Sequence, residues 1–243
     1  MADRLLYWKG CMSRLKVKGI ADSTMELLDL MGIRYDTLGG DEGCCGSILL
    51  RTGYPEEAKK LVRLNISQIR GAGYAKMVTS CPGCYRTFAS EYPKLIAADL
   101  PFNVQHISQL LSENLGALRD KLKPLKMDVV YHDPCHLGRH MGIYEEPRRL
   151  IKAIPGIRLA EFRQNRSLAL CCGSGGGVRS ALPDVSTAVA KSIIDGPLGP
   201  LGVRAIITAC PFCYYNFNTA GGVEVIDLPQ LLLRSCKGEG NNG

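Results

Sequence analysis

No stretch of this 243-residue chain approaches the ~18 consecutive apolar residues that a membrane helix needs. A direct membrane span is therefore not expected. No small-residue cleavage site follows the short apolar run after Met1-Ala2-Asp3-Arg4, so a secretory leader is not expected either. Charge of one sign never forms a block. The net charge of +7 is spread thinly, and its densest cluster, Lys121, Lys123 and Lys126, is interleaved with Leu122, Pro124 and Leu125. That pattern suits an exposed connector. Aromatic residues make up only 7%, and a nucleic-acid surface would want a basic stripe with aromatics among it. Nucleic acid is accordingly not an expected partner, and the mild positive excess suits an anionic substrate or an acidic partner protein.

With secretion set aside, a cytoplasmic location is expected, where disulfides are uncommon. The eleven cysteines then read as metal or redox ligands. Two stretches stand out, Glu42-Gly43-Cys44-Cys45-Gly46-Ser47 and Leu170-Cys171-Cys172-Gly173-Ser174-Gly175-Gly176-Gly177. Vicinal thiols running into glycine suit neither a disulfide framework nor a core.

The surroundings of these stretches repeat as well. Arg4 to Trp8 and Met127 to His132 read as buried strands, followed by Cys11 and Cys135. Helical stretches come next, Ile20 to Met31 and Glu145 to Ile154, then strands at Ile33 to Asp36 and Ile157 to Ala160, then the vicinal pairs. Pro55 and Pro183 each open a helix, with Ala58, Leu61, Val62 and Ile69 on one face of the first. Val185, Ala188 and Val189 are expected on the matching face of the second. Strands at Lys76 to Ser80 and Arg204 to Ala209 end in Cys-Pro-x-Cys, followed by the helical segments Tyr85 to Tyr92 and Tyr214 to Phe217. Phe102 to Gln105 and Val223 to Ile226 then lead into Ser-Gln-Leu-Leu and Pro-Gln-Leu-Leu helices. The chain reads as a tandem duplication, halves 1–124 and 125–243, joined near Arg119 to Lys126. Strand and helix alternate, which predicts an α/β fold of two homologous halves, each a mainly parallel sheet flanked by helices. The polar tail, Lys237 to Gly243, is expected to be mobile.

Counted along the chain, the cysteines read Cys11-x32-Cys44-Cys45-x35-Cys81-x2-Cys84 and Cys135-x35-Cys171-Cys172-x37-Cys210-x2-Cys213. Only Cys236 is left over, and it reads as an ordinary thiol. Open α/β sheets gather their ligands at the carboxyl ends of the strands, so the five sulfurs of a half can converge. Structural zinc wants four ligands in a tetrahedron, usually as two C-x2-4-C knuckles; each half has one knuckle, a vicinal pair and a surplus cysteine. A four-cysteine cubane would likewise leave one cysteine spare per half. Adjacent thiolates reach different irons of one cluster more easily than one tetrahedral ion. A multi-iron cluster with five thiolates per half fits best.

A lone cysteine, a Cys-Cys-Gly and a CxxC, given twice from Leu5 to Leu233, resemble the cysteine-rich CCG domain family. This domain pair occurs in the B subunit of heterodisulfide reductase, in the corresponding catalytic part of its membrane-linked form, and in iron–sulfur subunits of glycolate, lactate and glycerol-3-phosphate oxidising systems. The resemblance implies two noncubane [4Fe-4S] clusters near the interface of the halves. Cys11, Cys44, Cys45, Cys81 and Cys84 would hold one, and Cys135, Cys171, Cys172, Cys210 and Cys213 the other. It implies an oxidoreductase that splits a small-molecule disulfide, the coenzyme M–coenzyme B heterodisulfide of methanogenesis, into two thiols. Relatives that only relay electrons often replace one of these cysteines, and this chain replaces none. The sequence contains no ferredoxin-like C-x2-C-x2-C-x3-C-P run. Electrons would therefore come from a ferredoxin-like iron–sulfur subunit, with a flavoprotein or a membrane electron donor behind it, through which the chain could associate with a membrane. The alternative is an electron-transfer iron–sulfur subunit of a glycolate, lactate or glycerol-3-phosphate dehydrogenase-type complex, with the oxidation done by a flavin partner. The chain is compact for the family, so loops that contact substrate are expected to differ.

The glycines after the thiols, Gly46, Gly173 and Gly175, are expected to let backbone N–H groups approach the clusters. Gly176 and Gly177 extend that turn, and the spacing of a nucleotide-binding fingerprint is absent. Disulfide reduction consumes two protons, and His136, next to Cys135, is the candidate donor. His132 is expected to end a buried strand, His140 to be exposed, and His106 to cap a helix. Arg51, Arg86 and Arg179 follow the cysteine motifs closely; they read as helix-surface residues or as partners for an anionic group. Tyr85, Tyr214 and Tyr215 read as aromatic packing.

Overall fold

The computed structural model describes residues 4–203 and 205–238. Met1-Ala2-Asp3, Arg204 at the head of one expected strand, and the tail beyond Gly238 lie outside the described residues. In the first half the chain runs β1 (Leu5–Trp8), α1 (Cys11–Leu15), α2 (Lys18–Leu30), β2 (Tyr35–Asp36), α3 (Ser47–Arg51) and α4 (Pro55–Gly71). It continues through β3 (Lys76–Thr79), α5 (Pro82–Arg86), α6 (Tyr92–Ile96), β4 (Asn103–His106), α7 (Ile107–Glu113) and α8 (Leu115–Arg119). The second half repeats the scheme: β5 (Met127–His132), α9 (Gly138–Met141), α10 (Glu145–Ala153), β6 (Ile157–Glu161), α11 (Val178–Ala181) and α12 (Pro183–Ile193). It closes with β7 (Ala205–Thr208), α13 (Pro211–Ala220), β8 (Glu224–Asp227) and α14 (Leu228–Lys237).

Each half holds a four-stranded sheet, ordered β2-β1-β3-β4 or β6-β5-β7-β8, and every strand pair is parallel. The central strands read as continuous apolar runs because both faces are covered; every residue of β1 and β7 is buried. Proline opens α4, α5, α12 and α13, where its missing N–H has no intrahelical partner to lose. His106 starts α7 as the cap foreseen from its position: Ser108 N donates to its Nδ1 at 3.2 Å, and Gln109 returns the contact to the His106 N–H at 2.9 Å.

Three segments depart from the sequence reading. Strand β2 contains only Tyr35 and Asp36. In α12 the inward residues are Ser186, Ala190 and Ile193, whereas Val185 is 52% exposed. Hydrophobicity favoured Val185, but Ser186 is the residue held inside, its hydroxyl donating to Asn216 Oδ1 at 3.0 Å. The connector keeps its lysines exposed but buries Leu122 and Leu125. Ser235 Oγ donates to the Lys123 carbonyl at 2.8 Å, and Leu125 N donates to the Pro155 carbonyl at 2.8 Å. Leu122 and Leu125 belong to a core cluster that also holds Tyr7 of the first sheet and Tyr131 of the second. One apolar core therefore runs through both halves. Among the described residues no helix is long and apolar enough to cross a membrane.

Candidate functional site

In each sheet the strand order reverses between the first and third strands, and the crevice at their carboxyl ends is where such folds bind ligands. The cysteines sit there. Cys11 opens the helix after β1, and Cys81 directly precedes α5, which carries Cys84. In the second half Cys135 lies in the turn after β5, and Cys210 directly precedes α13, which carries Cys213. The vicinal pairs come in on the loops after β2 and β6. Gly46 and Gly173 turn the chain just past those pairs with φ of 82° and 85°, a left-handed conformation that side-chain-bearing residues avoid.

The two crevices face each other. Nine of the ten repeated cysteines, Cys171 being the exception, line one cavity between the halves. Arg51, His136, Gly175, Gly176 and Phe212 are among its other walls. Among the described residues no three His, Cys, Asp or Glu side chains are grouped around the position of a single metal ion. The sulfurs surround a volume.

The two sets share one electrostatic pattern. Hydrogen bonds from Cys11 and Cys45 push the Cys44 thiol far below its usual range, aided by the Gly46 N–H and the Arg14 charge. Cys135, Cys172 and the Gly173 N–H do the same to Cys171. The donors move the other way: Cys11 and Cys135 are pushed up, first by giving their protons to those neighbours and then by burial. Gly46 N lies 3.4 Å from Cys44 Sγ and Gly173 N lies 3.4 Å from Cys171 Sγ, so these glycines serve the thiolates of the pairs.

The loops carrying the pairs are pinned by groups whose spacing gave no warning. Asn65 Nδ2 donates to the Cys44 carbonyl at 2.9 Å, and Tyr92 OH donates to the Cys45 carbonyl at 3.0 Å. Asn216 Nδ2 donates to the Cys172 carbonyl at 2.6 Å. Arg14 bonds the Glu42 carbonyl, and Arg139 bonds the Ala169 carbonyl at the corresponding place in the repeat. Glu42 itself is buried and accepts the N–H groups of Lys9 at 2.9 Å and Gly10 at 2.8 Å. Gly10 (φ 80°) was also unforeseen: a Cβ there would stand 3.1 Å from Cys84 Sγ. Its place just ahead of Cys11 was the only available sign.

The other residues singled out from sequence fall as follows. Gly173 does make a close approach, but to protein: a Cβ there would meet Val189 Cβ at 2.8 Å and the Ser186 carbonyl at 2.9 Å. Gly175 has open space around its Cα on the cavity wall. His132 is buried, its Nε2 3.0 Å from the Leu170 carbonyl. His136 lies beside the cavity with its Nδ1 buried and unpartnered among the described residues. Burial first, then the charges of Arg51 and Arg86, push its pKa down to about 3, which keeps the ring neutral. His140 is exposed, with its ring 5.5 Å from that of His136. Arg51 and Arg86 are not free helix-surface residues. Both pair with the same Glu91 oxygen, at 3.3 and 3.1 Å, and Glu91 lies in a π-helical turn, Thr87–Glu91, that continues α5. Arg179 donates to Thr187 at 2.6 Å and stacks over Tyr215, while Tyr85 packs in the shared core and Tyr214 against the core of the second half. Cys236 is half-buried at the edge of the shared core.

This chain is 38% identical over 97% of its length to the D subunit of dihydromethanophenazine:CoB–CoM heterodisulfide reductase from Methanosarcina acetivorans, covering 60% of that protein. It is 32% identical over 86% of its length to an EtfAB:quinone oxidoreductase of Syntrophomonas wolfei, covering 30% of it. It thus spans less than two thirds of the length of these relatives. A solved structure of a Helicobacter pylori hypothetical protein shares the fold, with a TM-score of 0.63 at 13% identity, over 99% of this chain and 50% of that one. The family model for the cysteine-rich domain, CCG, matches twice, over residues 5–89 and 129–218, the two segments that carry the ten repeated cysteines. The chain belongs to the cysteine-rich CCG domain family.

Proposed function

We propose that this chain is the catalytic iron–sulfur part of a disulfide reductase, splitting the coenzyme M–coenzyme B heterodisulfide or a close analogue into two thiols. The observation that carries the reading is the single cavity lined by cysteines of both halves. Two five-cysteine sites facing one space suit a reaction in which each half of a disulfide leaves toward its own site. The donor set fits the cofactor: thiolates only, with backbone N–H groups of Gly46 and Gly173 supporting sulfur in each set. Each set would hold one [4Fe-4S] cluster of the noncubane kind, within halves 1–124 and 125–243. When bound, the clusters would supply electrons one at a time.

The balance is RSSR′ + 2e⁻ + 2H⁺ → RSH + R′SH, with electrons from a ferredoxin-like iron–sulfur subunit and, behind it, a flavoprotein or a membrane donor. The chain's own groups orient the substrate and handle its protons. His136, neutral beside the cavity with its Nδ1 buried and unpartnered among the described residues, is placed to relay a proton toward a product sulfur, one ring nitrogen taking up a proton as the other gives one. Arg51 on the cavity wall, backed by Arg86, leaves two positive charges against the single carboxylate of Glu91. That excess suits an anionic arm of the substrate. Phe212 and Ile48 provide apolar wall.

The likeness to the EtfAB:quinone oxidoreductase favours a second reading, an electron-transfer subunit of a flavin-dependent dehydrogenase. Anaerobic reconstitution separates the two. Iron, sulfide and zinc are counted, and reduced viologen is supplied with the heterodisulfide while thiols are titrated. Two thiols per disulfide support the reductase. Intact clusters without thiol release favour the relay, and stoichiometric zinc without iron ends both.

A further inference from the structure

The two cysteine sets differ in exposure at one pair of matching positions. Glu42-Gly43-Cys44-Cys45 corresponds to Ala169-Leu170-Cys171-Cys172. In the first half the Glu42 carboxylate, 2% exposed, ties its loop to the Lys9–Gly10 backbone, and Cys44 is half-buried. In the second half Ala169 has no group that can do this. Leu170 is 39% exposed, and Cys171 is the exposed one of the ten repeated cysteines. The surface beside it is apolar at its centre, with Leu168 72% exposed. It is basic around that centre: among the described residues Arg139 donates to the carbonyls of Ser167 and Ala169 and meets no carboxylate. Arg163 is exposed, without an ion pair among the described residues, and shares with Leu170 the wall of a recess. The nearby carboxylates are already matched, Asp133 by Arg148 at 2.7 Å and Glu145 by Arg166 at 2.7 Å.

We infer that this face, Leu168, Leu170 and Cys171 with Arg139 and Arg163 about them, docks an acidic iron–sulfur protein of the ferredoxin kind. The second cysteine set then receives electrons before the first; this rests on the reading that both sets hold clusters. Electron transfer weakens steeply with distance, so a ligand sulfur at the surface gives the shortest entry. An apolar centre with a charged rim is the usual anatomy of a transient interface, and uncompensated arginines steer an acidic partner. Each encounter oxidises the partner by one electron and reduces the second site by one. No proton moves, and two encounters supply one disulfide.

The test follows cluster bleaching by stopped flow after the reconstituted chain is mixed with a reduced, acidic two-cluster ferredoxin, or with reduced methyl viologen. R163E and L168E should each slow reduction by ferredoxin about 10-fold at low salt, while reduction by viologen stays within about twofold or quickens. Raising the salt should slow the unaltered chain with ferredoxin. R63E, an exposed charge on α4, should change neither rate. Unchanged ferredoxin rates in R163E and L168E overturn the assignment, as do equal losses in R63E. So does a chain that assembles no cluster, or an L168E variant that loses self-association in sedimentation while its ferredoxin rate holds, which would make the face a contact between copies. Bleaching needs no disulfide, so a chain reduced through this face without releasing thiols would sink the catalytic reading and keep the docking face.

Discussion

Asn216 Nδ2 bridges two backbone carbonyls, Cys172 at 2.6 Å and Ser186 at 2.9 Å, and so ties the second vicinal pair to α12. The amide is fully buried, and removing it leaves both carbonyls without that donor. N216A should lower unfolding stability by about 1–3 kcal/mol, read from urea midpoints, and speed iron loss from the reconstituted protein. Asn65, which holds the Cys44 carbonyl in the other half, should behave alike.

Two glycines of one loop should respond differently. G173A would force a Cβ to within 2.9 Å of the Ser186 carbonyl at a φ of 85°, and should cost about 1–3 kcal/mol. G175A meets no atom within 4 Å and should leave the thermal midpoint nearly unchanged. Equal midpoints for the two variants would contradict the packing described for α12.

Cys45 and Cys172 are the buried members of the vicinal pairs. C45S or C172S should each remove about half of the bound iron if each half holds its own cluster. Retention of full iron and unchanged disulfide turnover in either variant would remove that cysteine from the ligand set.

Arg51 tests the substrate contact. R51Q should raise KM about 10-fold for a disulfide bearing a sulfonate or carboxylate, with little effect on 2-hydroxyethyl disulfide. Equal losses on both would assign the guanidinium to the cysteine site instead.

Stability should depend on pH through the buried histidines. Complete burial pushes the His106 pKa down to about 3, and burial lowers that of His132 as well. The unfolded chain binds these protons near pH 6.5; the folded chain binds that of His106 only near pH 3, and that of His132 below its ordinary range. The stabilising contribution is therefore complete above ~6.5 and is lost as pH falls toward ~3, at up to about 1.4 kcal/mol per unit and proton. H106N, which keeps a capping side chain, should flatten that slope in urea unfolding measured from about pH 4 to about pH 8.

Cysteine spacing, proline positions and the repeat were legible because they are local or periodic. Chemistry within a few residues of Cys81 or Pro82 names a strand end and a helix start. The His106 cap was legible for the same reason, since its partner Gln109 is three residues away. Other contacts depended on which segments the sheets place side by side. Leu122 and Leu125 looked like part of an exposed connector until the shared core enclosed them. Arg51 meets Arg86 only because α3 and the turn after α5 converge on Glu91.

The sequence by itself determined that there are two five-cysteine sets, each at the ends of parallel strands, because composition and strand–helix alternation leave few other arrangements. Only the tertiary structure decided that the sets face one cavity and that Cys171 of the second is exposed where Cys44 of the first is half-buried. Orientation of one half against the other is set by packing across the joint. Where the first half ties its loop to the Lys9–Gly10 backbone through the buried Glu42, the second half has Ala169 and the exposed Leu170, and Cys171 lies exposed beside them.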